Sequence, residues 1–340
     1  MESKGNKDFC SCFLMREPSP ILNEFDIIQH YFATRTLQRP EVAIGIGDDA
    51  AIVTVPAHHQ LLITTDTLVS GIHFPETTTA DDIGYKALAV NISDLAAMGA
   101  TPAWATLALT LPSADPSWLN DFCRGFFELA NHYPIQLIGG DMTRGPLTIT
   151  VQLHGFVPEG QAILRSGAKV GDFIYVTHTL GDAGLALRFL QQQVTLALPY
   201  QTATLKQFYR PEPRTTVGEK LRGLAHAAID ISDGFAADLS HILEQSRVGA
   251  IVNIDSLPLS AAMTATLSRK EAIALALTAG EDFELCFTAP PEKQSNILNE
   301  LALAGCHITK VGIITEKLGL DLQYNNGSHY HGPTQGYQHF

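Results

Sequence analysis

The sequence predicts a mixed α/β protein of two unequal units. Strand-like and helix-like stretches alternate along most of the 340 residues, a Gly-rich and polar stretch at residues 158–171 interrupts them, and the alternation then resumes. The formal net charge is −13, and 45% hydrophobic with 17% charged residues is ordinary for a chain with sizeable cores. Basic residues are scattered singly, which argues against a nucleic-acid or anionic-membrane surface. No apolar run approaches the roughly 20 residues that span a bilayer, so a soluble protein is expected. Cys10, Cys12, Cys123, Cys286 and Cys306 include no C-x-x-C pair; neither a disulfide framework nor a zinc site is indicated, and a cytoplasmic location is expected. Residues 1–20 read as a disordered extension, with only a broken apolar patch and no cleavage site.

In order, residues 24–32 read as a short amphipathic helix, 42–46 and 60–65 as buried strands, and 81–98 as a helix closed by Gly99 and stopped by Pro102. Residues 104–111 read as a strand, 117–132 as a helix striped by Trp118, Phe122, Phe126 and Leu129, and 135–138 as a strand. Residues 147–153 alternate strictly, with Leu147, Ile149, Val151 and Leu153 on one face, so this strand has a polar side. After the break come a strand at 173–176, helices at 182–190 and 216–225, and a strand at 228–231. A helix at 235–245, strands at 250–254 and 285–287, a helix at 293–304 and a strand at 308–314 follow. The expected units are residues 21–158 and 159–340.

Acidic residues where apolar runs end, or on an otherwise apolar helix, are the main functional signal, because a lone carboxylate there is costly. A divalent ion offsets that cost. Oxygen donors without Cys or paired His suit a hard ion such as Mg²⁺, which usually accompanies substrate phosphates. Gly45-Ile46-Gly47-Asp48-Asp49-Ala50-Ala51 formally matches a dinucleotide fingerprint, but two aspartates in that turn repel a pyrophosphate unless a metal intervenes; a polar turn is the alternative. Thr64-Thr65-Asp66 is expected at a strand's end, as metal donors or as a closing turn. His73 follows in Gly71-Ile72-His73-Phe74, and by spacing alone reads as a structural histidine.

Residues 85–99 are apolar on nearly every helical face except at Lys86, Asn91, Ser93 and Asp94, so the helix should be buried and Asp94 needs a partner or an ion. Lys86 stands too far along the helix to pair with it directly. Gly139-Gly140-Asp141 is expected after a strand, where glycines admit a phosphate close to the backbone, and Arg144 and Arg165 are loop residues suited to phosphate charge. Asp230-Ile231-Ser232-Asp233-Gly234 lies between a strand and a helix whose N-terminus attracts anions, and Gly280-Glu281-Asp282 precedes another strand. No P-loop, protein-kinase motif or Gly-x-Ser-x-Gly elbow is present.

Together these stretches, with residues 85–99 and 139–145 in the same order and spacing, closely resemble the thiamine-monophosphate kinase family of the aminoimidazole-ribonucleotide synthetase-like ATP-binding proteins, over residues 24–340. The resemblance implies a two-domain α/β enzyme, a homodimer through its N-terminal domains, that uses ATP and several Mg²⁺ ions to phosphorylate thiamine monophosphate. It implies Asp49, Thr64, Thr65, Asp66, Asp94, Asp141, Asp230 and Asp233 as metal ligands. Gly140, Asp141, Arg165 and Ser232 are implied as ATP contacts, and His73, Glu281 and Tyr337 as substrate contacts. No side chain is expected as nucleophile or base. Relatives on the same scaffold are the rival readings. A selenophosphate synthetase needs a reactive Cys or selenocysteine in a glycine-rich loop, whereas Cys10-Ser11-Cys12 is followed by Phe13-Leu14-Met15; a hydrogenase-maturation relative ends in Cys, whereas this chain ends Gln338-His339-Phe340. A non-catalytic nucleotide sensor and a Rossmann dehydrogenase are the readings from other classes.

Overall fold

The computed structural model describes residues 23–339, so the expected extension at 1–20 lies outside the described residues. Asn23 caps helix α1 (Glu24–Ile27), its side chain accepting from the Asp26 N–H, and the chain passes directly into a wider π-helical turn, Ile28–Ala33. The expected helix at 24–32 is therefore present but changes its winding midway.

Four long strands follow: β3 (His59–Val69), β4 (Thr101–Leu111), β5 (Gln136–Arg144) and β6 (Thr148–Pro158), in the order β3-β6-β4-β5. Before them a small ribbon, β1 (Val42–Ile44) with β2 (Ile52–Val53), packs Val42 and Val53 against Trp104, Ile138 and Phe156. Helices α2 (Ala80–Ala97) and α3 (Pro116–His132) bury Leu88, Ile92, Phe122 and Phe126 against Leu109, Ile149 and Val151 of the sheet. The aromatic stripe of α3 stacks as expected, with Trp118 to Phe122 at 5.2 Å and Phe122 to Phe126 at 6.1 Å. The two helices cross so closely that a Cβ at Gly125 would lie 1.8 Å from the Asp81 carbonyl oxygen.

Three expectations need correction here. Strand β1 is short and largely exposed, and β3 buries only one face: Leu62 and Leu68 turn inward while Leu61 and Ile63 are 37% and 57% exposed. Strand β3 is the sheet's edge and the ribbon covers the Trp104 end instead, so buried strands at 42–46 and 60–65 are not found. Pro102 does not stop α2. The helix ends through Gly99 at φ +70°, and Pro102 enters β4 before that strand begins pairing with β5, next to a register shift.

The second unit is a six-stranded sheet, β12-β9-β11-β7-β10-β8, antiparallel except for β12 beside β9. Its strands are β7 (Phe173–Thr177), β8 (Ala227–Asp230), β9 (Gly249–Asn253), β10 (Leu285–Ala289), β11 (Ile308–Thr315) and β12 (Gly319–Gln323). Its helices are α4 (Asp182–Leu190), α5 (Leu198–Tyr209), α6 (Thr215–Leu221), α7 (Phe235–Ser246), α8 (Ala261–Thr266), α9 (Arg269–Thr278) and α10 (Gln294–Leu303). Elements β2, α5, α8, α9 and β12 go beyond those expected from the sequence, although α9 opens with a reciprocal Ser268 and Glu271 capping box. Helix α2 belongs to both units: it packs on β3 and β6 and also on β8 and α6, where a Cβ at Gly218 would lie 1.9 Å from the Ala96 carbonyl oxygen. No helix among the described residues is long and apolar enough to cross a membrane.

Candidate active site

The polar residues of the buried helix α2 each meet a different partner. Thr64 and Asp66 lie inside β3, not at its end, on the face that also carries Leu62 and Leu68. The Thr64 hydroxyl donates to Asp94, Asn91 Oδ1 accepts the Asp66 N–H at 3.1 Å, and the Ser93 hydroxyl donates to Asp230 Oδ2 at 2.8 Å. Three carboxylates from β3, α2 and β8 are thus held around one helix. Burial, reinforced by the charge of Asp94, pushes Asp66 up to about 7. Burial also raises Asp94, against the bond from Thr64 and the positive charge of Arg165, and burial followed by repulsion from Asp94 raises Asp230 well above the carboxylate range.

Three ionised carboxylates in this setting need a cation. Among the described residues no three carboxylate, histidine or cysteine side chains converge closely enough to hold an ion as they stand. The donors are nevertheless all hard oxygens, and their mutual repulsion is what a divalent ion would relieve, so the residues fit Mg²⁺ in chemistry.

A second acidic group lines a cleft of about 530 Å³ with Gly140, Leu107, Leu137 and Phe32: Asp48, Asp49 and Asp141. Gly139-Gly140-Asp141 lies within β5 instead of following a strand, because β5 runs on to pair with β4 as far as Arg144. A Cβ at Gly140 would sit 1.9 Å from the Leu107 carbonyl oxygen, so only glycine fits. The register aligns Asp66, Val151, Leu107 and Gly140 in one row across four strands, roughly 14 Å at the usual spacing. Asp141 is one residue further on and faces the other way. Thr65 also faces away from Asp66, accepting from Gln152 at 3.3 Å. The eight residues implied as ligands of several ions therefore stand in more than one place, and the Thr65 hydroxyl stands apart from the buried carboxylates.

In the turn from β8 into α7, Asp238 accepts the N–H groups of Ser232, Asp233 and Gly234 at 3.0, 3.0 and 3.1 Å, so the helix N-terminus expected to attract an anion holds a carboxylate of its own helix. Burial pushes Asp238 up to about 7. The sequence carries a signal for this: Gly234 is the N-cap and has no side chain to satisfy these donors. Arg165 sits on the exposed single turn Arg165–Gly167, close enough to Asp94 to favour its ionised form.

His73, Glu281 and Tyr337 are brought near one another through intermediaries. His73 Nδ1 accepts the Val69 N–H at 3.0 Å, and burial holds the imidazole below its usual pKa. Its ring lies 5.2 Å from that of His339, which lies 5.0 Å from Tyr337, and the Tyr337 N–H donates to the Asp233 carbonyl at 2.9 Å. Glu281 and Phe283 adopt left-handed φ values of 68° and 49°, a strain of about 1–3 kcal/mol each that clusters at functional sites. The Glu281 carboxylate takes a 2.6 Å hydrogen bond from Lys86, a residue that the helix pattern singles out without assigning it a partner.

Two α/β units that gather carboxylates around a shared helix, without a P-loop, are consistent with the AIR synthase related proteins, whose domain models match this chain. The family's N-terminal domain matches residues 47–157 and its C-terminal domain residues 169–325. The chain is 46% identical to the thiamine-monophosphate kinase of Escherichia coli (strain K12) over 318 residues, 93% of this chain and 98% of that one. The crystal structure of thiamine-monophosphate kinase from Stenotrophomonas maltophilia K279a matches with a TM-score of 0.82 at 47% identity, over 87% of this chain and 95% of that one. AaThiL complexed with AMPPCP and TMP matches with a TM-score of 0.74 at 30% identity, over 96% and 100%. The chain belongs to the thiamine-monophosphate kinase family.

Proposed function

We propose that this protein transfers the γ-phosphoryl group of ATP to thiamine monophosphate, giving ADP and thiamine diphosphate. The observation that carries the reading is the mutually repelling set Asp66, Asp94 and Asp230 beside the His73, Glu281 and Tyr337 group, in a chain of this family. Asp66, Asp94 and Asp230 with Thr64 would hold Mg²⁺, joined by Asp49, Asp141, Asp233 and Thr65. Bound there, the ions neutralise phosphate charge. Gly140, Asp141, Arg165 and Ser232 would contact ATP, and His73, Glu281 and Tyr337 the acceptor.

A phosphate monoester has a second pKa of about 6, so its oxygen is already anionic at neutral pH and no general base is required. The task left to the protein is to bring two anionic groups into line, by positioning and charge neutralisation, for direct in-line transfer. The bare face of β3, with Leu61 and Ile63 exposed, supports a homodimer through the first units, which light scattering tests by mass. A boundary between residues 158 and 159 and a cytoplasmic location belong to the same proposal; Cys123, Cys286 and Cys306 are free and buried.

The deciding experiment measures ADP release from ATP and Mg²⁺ with thiamine monophosphate, thiamine, other phosphomonoesters or no acceptor. Release with thiamine monophosphate alone, lost with EDTA, is expected. Silence with every acceptor would leave a nucleotide-binding relative without this activity.

A further inference from the structure

We propose that Lys86 is the positioning residue of the acceptor subsite, holding the Glu281 carboxylate in place and tying it to the turn that carries His73. This rests on the reading of the site given above. Lys86 is 1% exposed on α2, and an ammonium so deeply buried persists only when its donors are satisfied. Its Nζ donates to Glu281 Oε2 at 2.6 Å and to the His73 carbonyl at 3.4 Å, and it stands 4.0 Å from the centre of the Phe208 ring. Those partners come from the 280–284 loop, the 71–74 turn and α5, so both units meet at this one charge.

The loop is anchored behind Glu281. The Glu281 N–H donates to the Ser232 carbonyl at 2.8 Å, the Phe283 N–H to the Ile231 carbonyl at 2.9 Å, and the Phe283 side chain joins the core of the first unit. With the backbone fixed, the remaining freedom of Glu281 is its side chain, which Lys86 removes. Lys86 takes Oε2 while 26% of the Glu281 side-chain surface stays exposed, so the side chain is open to a cationic or hydrogen-bond-donating acceptor. Joining the two units does not itself require this pair. Arg210 already does so with bonds to Asp82 at 2.7 Å, Asp81 at 2.6 Å and Glu128 at 2.9 Å. With Arg210 already joining the units, an ion pair between a buried Lys86 and a half-buried Glu281 points to placement of Glu281 as its use.

The test is the separation of acceptor and nucleotide constants in Lys86→Met, which keeps the length of the side chain and its packing on Phe208. Removing a charged hydrogen-bond partner of this kind is worth roughly ten- to a hundredfold, so the KM for thiamine monophosphate should rise by at least tenfold with the KM for ATP within about twofold of wild type. Calorimetric binding of thiamine monophosphate should weaken in parallel. In the pair with Glu281→Gln, the double variant should lose no more than the worse single one, since Lys86 acts through Glu281. Should Lys86→Met fail to fold, Lys86→Arg keeps the charge but moves the donor and carries the same prediction. Equal rises in both KM values, or additive losses in the double variant, overturn the assignment. Absence of turnover by the wild-type protein sinks the functional reading and this proposal together, whereas wild-type turnover with an unmoved acceptor KM in the variants sinks the proposal alone.

Discussion

Asp66, Asp94 and Asp230 lie between the two sheets around α2, whereas Asp48, Asp49 and Asp141 stand exposed along the cleft beside β5. The first group is ringed by donors supplied for it: the Thr64 hydroxyl for Asp94, the Ser93 hydroxyl for Asp230, and Asn91 fixing the Asp66 backbone. In the second group the Asp49 N–H donates to Asp48 at 2.9 Å, a bond within the turn itself. Water solvates those acids, so their charge costs the fold little. The buried acids impose an electrostatic cost that persists until a cation arrives, which makes them the place where folding and phosphate handling are in conflict.

The largest way to break this contrast is Asp94→Asn, the residue at the centre of the repulsion. It removes the charge of a proposed ligand without changing volume and relieves both neighbours, so turnover should fall by roughly 10²–10³ or more while the metal-free melting temperature stays level or rises. Asp66→Asn should behave alike. Near-normal activity with an unchanged fold in either variant would remove the buried group from the site. Asp141→Asn probes the exposed group, where solvent already screens the charge, and should cost about tenfold in turnover with no shift in melting. If its loss equals that of Asp94→Asn, the cleft closes on substrate until both groups act as one.

Much of the buried group is legible in the sequence. An apolar helix interrupted only at Lys86, Asn91, Ser93 and Asp94 announces a buried helix with polar duties, and each of those residues does meet a partner from another element. What the sequence hides is distance and direction. Thr65 and Asp66 are adjacent in sequence but point to opposite faces of a strand that continues past them, because a run bounded by Thr residues reads as an end when its partner β6 is unknown. Gly139 to Asp141 misleads in the same way, since glycines signal a turn unless a neighbouring strand is known to claim them. The Lys86 to Glu281 pair joins residues 195 apart, and no local pattern predicts it.

The smallest effect is a dependence on pH, and it distinguishes the two groups without any substitution. Burial, joined for Asp66 and Asp230 by repulsion from Asp94, raises the folded-state values of Asp66 (to about 7), Asp94 and Asp230, while the unfolded chain titrates near the ordinary value of about 3.9. Between those limits the folded state holds more protons than the unfolded one, so metal-free stability is fully present below the unfolded value and declines as pH rises toward 7. Mg²⁺ held there would have to displace more protons at pH 5 than at pH 8, where Asp66 is mostly ionised. Thermal melting should therefore show a larger Mg²⁺-induced rise at pH 8 than at pH 5, and Asp94→Asn should flatten that difference while Asp141→Asn leaves it intact. An equal rise at both pH values would place the ion away from the buried acids.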